Sequence, residues 1–261
     1  MNFETFLASP GKKILIEVTR TRGSTPRETG AFMLVSDVQI WGTIGGGSME
    51  FDCVDLARAM LADGRPKASL DVTLGPDGGQ CCGGRVELML RRVDAEIMDA
   101  LKARQARAAD DHPDVFIFGA GHVGRALAVA LKPLPFKVTV VETRRVELDQ
   151  LEQGIPRRLE AMPESVVGDI RAGGAAVIMT HDHALDFLIG AEVLKREDLA
   201  YCGMIGSKTK RGVFAHWLED AGYPSSLIDR LVLPIGASRL KDKRPEVIAA
   251  LVAAELLVAL L

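Results

Sequence analysis

Residues 115–131 read VFIFGAGHVGRALAVAL. The opening VFIF is a short, uninterrupted apolar run, as expected of a strand buried on both faces. Gly119, Gly121 and Gly124 follow at the spacing G-x-G-x-x-G, and the chain then continues as an apolar helix over 123–131. In a strand-to-helix turn of this kind the first glycine makes the tight bend and the second lets the backbone approach a pyrophosphate. The third lets helix and strand pack closely. His122 falls inside the motif at the helix start, a binding candidate whose plainer role is that of a polar helix-terminal residue. KVTVVET, residues 137–143, supplies the next strand. It ends at Glu142, about 20 residues past the glycines, where an acidic side chain can accept hydrogen bonds from a ribose diol of a nucleotide such as NAD(P). Arg144 and Arg145 follow closely and suit a 2′-phosphate or another phosphorylated ligand instead.

Outward from this stretch toward the carboxyl end, strands and helices keep alternating. A helix is expected around 164–170, a strand at AAVIMTH (175–181), a helix over 185–195, a strand at AYCGMIGS (200–207) and a helix over 208–220. Such alternation predicts a parallel sheet covered on both faces, a Rossmann-like domain over 113–261. THDHALD (180–186) then lies at the carboxyl edge of the sheet, where such folds bind ligands. His181, Asp182 and His183 read as a polar rim, with Asp182 or His183 capping the next helix and metal ligation as the lesser alternative. GMIGSKTKR (203–211) places Ser207, Lys208 and two further basic residues at another helix start, a candidate anion site against the plain alternative of solvated charge.

Toward the amino end, AEIMDALKARQARAADD (95–111) is charged and helix-favouring, and His112-Pro113 ends it. Residues 95–112 therefore read as a connector helix. Before it, residues 1–94 alternate short β-rich runs with one helical stretch, SMEFDCVDLARAMLADG, which gives a small α+β domain. Three of its loops carry anion or metal chemistry. TRTRGSTPRETG offers Arg22 and Arg27 around Ser24, Thr25 and Pro26. GTIGGGSMEFD runs Gly45, Gly46 and Gly47 into an N-cap-like Ser48, so that successive N–H groups could form a nest for a phosphate. The lysine of an ordinary phosphate loop is missing. LGPDGGQCCGGRVELML (74–90) sets Gln80, Cys81 and Cys82 among glycines between two strands. In a strand the neighbours Cys81 and Cys82 would face opposite sides, and then at most one thiol could be buried. The spacing is poor for structural zinc; a buried pair or an accessible thiolate able to bind a soft metal or carry sulfur remains.

Composition bounds the rest. The chain has 261 residues, 32 Lys and Arg against 35 Asp and Glu, and a net charge of -3, with no basic stripe for nucleic acid. Its four cysteines do not make a disulfide framework, and the start MNFETFLASPGKK lacks the pattern of a signal peptide, so a cytoplasmic location is expected. VIAALVAAELLVALL (247–261) is too short to span a bilayer and carries Glu255, which predicts a buried helix or one packed on a partner subunit.

Taken together, TRTRGSTPRETGAFMLV, GTIGGGSMEFD, LGPDGGQCCGGRVELML, FGAGHVGRAL, MTHDHALD and GMIGSKTKR resemble the XdhC/CoxI family. The resemblance implies an α/β chain with a small α+β XdhC/CoxI-type domain followed by the Rossmann-like domain, often in homodimers. It implies a non-enzymatic chaperone that binds molybdenum cofactor (molybdopterin), protects it during sulfuration and hands it to xanthine dehydrogenase or a related molybdenum hydroxylase. A cysteine desulfurase is a further implied partner. Carried onto this chain, it makes Cys81 and Cys82, with Gln80 beside them, the contacts to molybdenum, and the Gly45–Gly47 loop with Arg22 or Arg27 the contacts to the pterin phosphate. The alternative is an NAD(P)-dependent oxidoreductase working through the Rossmann-like domain.

Overall fold

The computed structural model describes residues 2–74, 83–236, 240 and 242–261. The chain divides into two compact units, Met1–Gln105 and Ala106–Leu261. The division falls inside one helix, α3 (Ala95–Asp111). The first turns of α3 belong to the first unit, where Leu101 is buried and Ile97 and Met98 pack with it.

The first unit is built on an antiparallel sheet of β1 (Ile14–Arg22), β2 (Phe32–Val35), β3 (Ile40–Gly42), β4 (Lys67–Thr73) and β5 (Arg85–Arg92), in the order β3-β2-β1-β5-β4. Alternation along β1 and β5 divides their side chains between two faces. Ile14, Ile16, Val18, Val86, Leu88 and Leu90 pack under α2 (Gly47–Asp63), against its Met49, Cys53, Ala57 and Met60. Leu15 and Leu34 point the other way, toward α1 (Phe3–Ala8) and Leu101 of α3. Gly64, in the left-handed region at φ 80°, ends α2 as the Asp63-Gly64 pair predicts.

The second unit is a six-stranded, wholly parallel sheet. Its strands are β6 (Asp114–Phe118), β7 (Lys137–Glu142), β8 (Arg157–Leu159), β9 (Ala175–Ile178), β10 (Tyr201–Met204) and β11 (Leu231–Val232), ordered β11-β10-β9-β6-β7-β8. The chain moves outward from β6 through β7 to β8, then returns to lay β9 on the other flank of β6. The point of reversal lies between the loops that follow β6 and β9, the place where open α/β sheets bind ligands. One face is covered by α4 (His122–Leu131) and α8 (Pro245–Leu260). The other is covered by α6 (His183–Lys195), α7 (Lys208–Asp220) and a 3-10 turn at Pro163–Asp169. A short helix, α5 (Arg145–Leu148), follows β7. The edge strands β8 and β11 are three and two residues long, and the apolar pattern does not mark them.

The apolar carboxyl end forms α8 and buries Ala249, Val252, Ala253 and Leu256. Its charge has a partner: the Tyr201 hydroxyl donates to Glu255 at 2.8 Å. Among the described residues no helix is long and apolar enough to cross a membrane.

Candidate functional site

At one end of the first sheet, the loop after β1 touches the triple-glycine loop on one side and, on the other, Gly84, which follows the cysteine stretch. A Cβ on Gly45 would collide with the Pro26 ring and come within 3.6 Å of Arg27 Cγ. On the other side, a Cβ on Gly84 would collide with the carbonyl oxygens of Ser24 and Arg22. Only glycine permits backbones to approach this closely. Leu74 N–H donates to the Gly84 carbonyl at 2.8 Å and closes the β4–β5 hairpin beneath its loop. Gln80, Cys81 and Cys82 belong to that loop and lie outside the described residues. Arg22 and Arg27 are both exposed at this end, and Arg85, opposite Arg22 in the ladder, is held by Asp71.

The triple-glycine loop differs from its expected form. Ser48 does not cap α2; the helix begins at Gly47, with Gly46 in the cap position and no side-chain cap. Gly45, Gly46 and Gly47 take φ values of 131°, 76° and 69°. Gly46 N–H meets the protein's own carboxylate, and Gly45 N–H donates to Thr43 Oγ1 at 3.1 Å. Glu50 Oε2 accepts from Thr43 Oγ1 at 2.6 Å, Ile44 N–H at 3.1 Å and Gly46 N–H at 3.0 Å. Burial opposes the Glu50 charge, yet the Thr43 hydroxyl and the backbone donors of Gly46, Ile44 and Gly45 outweigh it and hold the carboxyl below its ordinary value. An anion drawn to Gly46 N–H would have to displace Glu50. The sequence signal for Glu50 was an acid in the first turn of a helix that starts from glycines.

In the second unit the glycine motif has its expected geometry. Cβ atoms on Gly119 and Gly124 would collide with the carbonyl oxygens of Met179 and Gly119, whereas a Cβ on Gly121 would meet nothing within 4 Å. Glu142 is another matter. It is 3% exposed, and its lone pairs are taken by the protein. Ala120 N–H donates to Oε2 at 2.9 Å; Thr143 N–H and Arg144 N–H donate to Oε1 at 2.9 and 3.1 Å. The Arg144 guanidinium forks onto both oxygens at 3.1 Å. Burial works to raise the Glu142 pKa, but Arg144, the Ala120 N–H and the Arg144 N–H prevail and bring it down to about 2. The residue assigned to a ribose diol thus does not fit one as it stands. His122 is the first residue of α4 and exposed, with Nδ1 3.4 Å from Arg125 Nη2.

Across the reversal point, Asp182 caps α6 by accepting from Ala184 N–H at 2.7 Å and Leu185 N–H at 3.4 Å. Ser207 caps α7, accepting from Lys210 N–H at 3.3 Å. His181, His183 and Lys208 are exposed, and no group of three His, Cys, Asp or Glu is placed to hold a metal among the described residues. The sequence reading overlooked the buried pair beneath them. Asp186, 1% exposed, accepts from Thr180 N–H at 2.9 Å, from the Thr180 hydroxyl at 2.7 Å and from the Lys210 ammonium. Lys210 also donates to the Ile205 carbonyl at 2.9 Å. One ion pair therefore ties the loops after β9 and β10 to the first turns of α6 and α7.

Residues 115–256 match the family model described as the XdhC Rossmann domain, and residues 7–75 match the model of the XdhC and CoxI family. The chain belongs to the XdhC and CoxI family. This XdhC-family chain is 28% identical over 254 residues to YqeB, an uncharacterized protein of Escherichia coli K12. That match takes in 93% of the chain and 42% of YqeB, so the chain spans less than half the length of this curated relative. It also superimposes on the crystal structure of a Bacillus halodurans protein named a xanthine dehydrogenase. The TM-score is 0.79 with 19% identity, over 97% of this chain and 93% of that one. At that identity the likeness is one of fold.

Proposed function

We propose that this XdhC-family chain is an accessory factor of a molybdenum hydroxylase of the xanthine dehydrogenase class. In this reading it holds the molybdenum cofactor as cargo, keeps it while the metal is sulfurated and passes it to the apoenzyme, without turnover of its own. Family membership supports the association with xanthine dehydrogenase-type enzymes. The observation that carries the cargo role is that the loop after β1, with exposed Arg22 and Arg27, packs against Gly45 of the triple-glycine loop and against Gly84, which follows the cysteine stretch. A soft thiolate from Cys81 or Cys82 suits the thiolate-rich surroundings of molybdenum, and Arg22 and Arg27 suit a phosphate monoester. A cytoplasmic location, a homodimer and a cysteine desulfurase partner belong to the same proposal.

Molybdenum and pterin content of protein purified from a molybdenum-replete host tests it. Wild-type protein is expected to carry both, and Cys81→Ala with Cys82→Ala to lose the metal. Arg22→Ala with Arg27→Ala should weaken retention of the pterin. Wild-type protein free of molybdenum and pterin would sink the cargo role, and a double cysteine variant that holds and delivers the cofactor normally would remove the thiols from it.

A further inference from the structure

The acid that ends β7 is one member of a closed ring around the glycine loop. Glu142 accepts from Ala120 N–H at 2.9 Å. The Ala120 carbonyl accepts from Arg125 Nη1 at 2.8 Å, and Arg125 Nη1 binds Glu147 Oε2 at 2.7 Å. Glu147 Oε1 lies 3.7 Å from Arg144 Nη1, and Arg144 returns to Glu142 through Nε and Nη2, each at 3.1 Å. Two acids and two arginines balance in charge and hold both backbone polar groups of one residue, Ala120. A carboxylate offers about four lone-pair sites, and Glu142 already receives six donors, counting the Thr143 hydroxyl at 3.1 Å.

We infer that this ring seals the ribose subsite of the second unit. Glu142 is a positioning residue for the Gly119–Gly121 backbone, with no lone pair left for a ribose diol. Arg144, shared between two acids, is not free for a 2′-phosphate. The fold therefore recognises neither NAD(H) through Glu142 nor NADP(H) through Arg144, which removes the basis that Glu142 gave to an NAD(P)-dependent oxidoreductase. The open approach above Gly121 is untouched by the ring. This inference stands apart from the cofactor-carrier role, since either can fail alone.

Calorimetric titration of NADH and NADPH into wild-type protein, Arg144→Ala with Thr143→Val, and Arg144→Met with Thr143→Val tests it. Wild-type protein is expected to show no saturation by either dinucleotide up to about 1 mM. Both variants leave Glu142 three backbone donors for about four lone-pair sites and should bind NADH about tenfold more tightly or better. Saturable wild-type binding below that concentration overturns the inference, as does a folded Arg144 variant that binds NADH no better than wild type. Should neither variant fold, the wild-type titration decides alone.

Discussion

The two glycine loops of this chain look alike in sequence and differ in what their glycines do. In the first unit, Ile44 and Gly46 turn backbone donors onto Glu50, a half-buried acid helped by a hydroxyl and, among the described residues, by no cation. In the second, Gly119 and Gly124 are required by backbone collisions, and the nearby acid, Glu142, is buried and clasped by Arg144. The first loop is set by three positive φ values and one collision with the Pro26 ring, the second chiefly by collisions with backbone. Both fill their anion-holding donors with a carboxylate from their own unit, so glycine-rich composition alone does not make either a ligand site.

If packing governs the second loop, the largest effect of any substitution falls there. Gly124→Ala drives a methyl group into the Gly119 carbonyl and is expected to cost about 3 kcal/mol or more. Gly121→Ala, with open space around the new atom, should cost about 1 kcal/mol or less. Urea unfolding of the two variants measures the contrast, and equal costs would break the distinction between the glycines.

The pH dependence sharpens the electrostatic side. The Glu142 carboxyl is held at about 2 in the folded protein against an ordinary 4.5. Its contribution is therefore fully present above pH 4.5 and lost as pH falls toward 2. The amplitude is about 3 kcal/mol at most. Stability measured from pH 6 down to 2 should fall less steeply in Glu142→Gln than in wild type, after the offset from leaving Arg144 unpaired. Parallel curves would mean that the ring does not hold the carboxylate charged.

Glu50 predicts a smaller version of the same behaviour. Its carboxyl is lowered and has no ion pair among the described residues, so Glu50→Gln should cost about 1 kcal/mol, with the loss confined to pH above the Glu50 titration. Chemical denaturation at pH 7 and again at acid pH reads this, and a cost that persists unchanged into acid would assign the effect to shape rather than charge.

The smallest expected signal is an absence of reaction. Burial pushes the thiols of Cys53 and Cys202 up to about 12, with the Asp52 and Glu50 charges adding at Cys53. A thiol reagent at pH 8 should leave both untouched in native protein, so that any fast-reacting thiol is Cys81 or Cys82. Rapid modification of Cys53 would show that α2 lifts away from the sheet and that the Glu50 loop is looser than its hydrogen bonds imply.

Much of the fold was legible in the sequence because it rests on short-range regularities. Continuous apolar runs in VFIF and AAVI marked buried parallel strands, and both are fully buried. The span 95–111 was recognisable as a helix from residue type and from the proline beyond it. Asp182 announced itself as a cap by its place before the α6 pattern. The edge strands β8 and β11 escaped, being two or three residues long and half exposed, with no period to detect. The site was less legible. Glu50 and Asp186 looked like ordinary first-turn acids, and Lys210 like one charge in a basic run.

The sequence by itself determined which residue types could do chemistry and where strands and helices would alternate, since periodicity, glycine spacing and caps are properties of neighbours along the chain. Only the tertiary structure decided which donors and acceptors were already spent. Whether Glu142 is open to a ligand depends on Ala120 and Arg144, whether the triple-glycine nest is open depends on Glu50, and whether Arg22 stands beside Gly84 depends on two strands meeting in register. Hydrogen-bond capacity is consumed by whatever the fold brings within about 3 Å, and that proximity is set by packing across the whole unit.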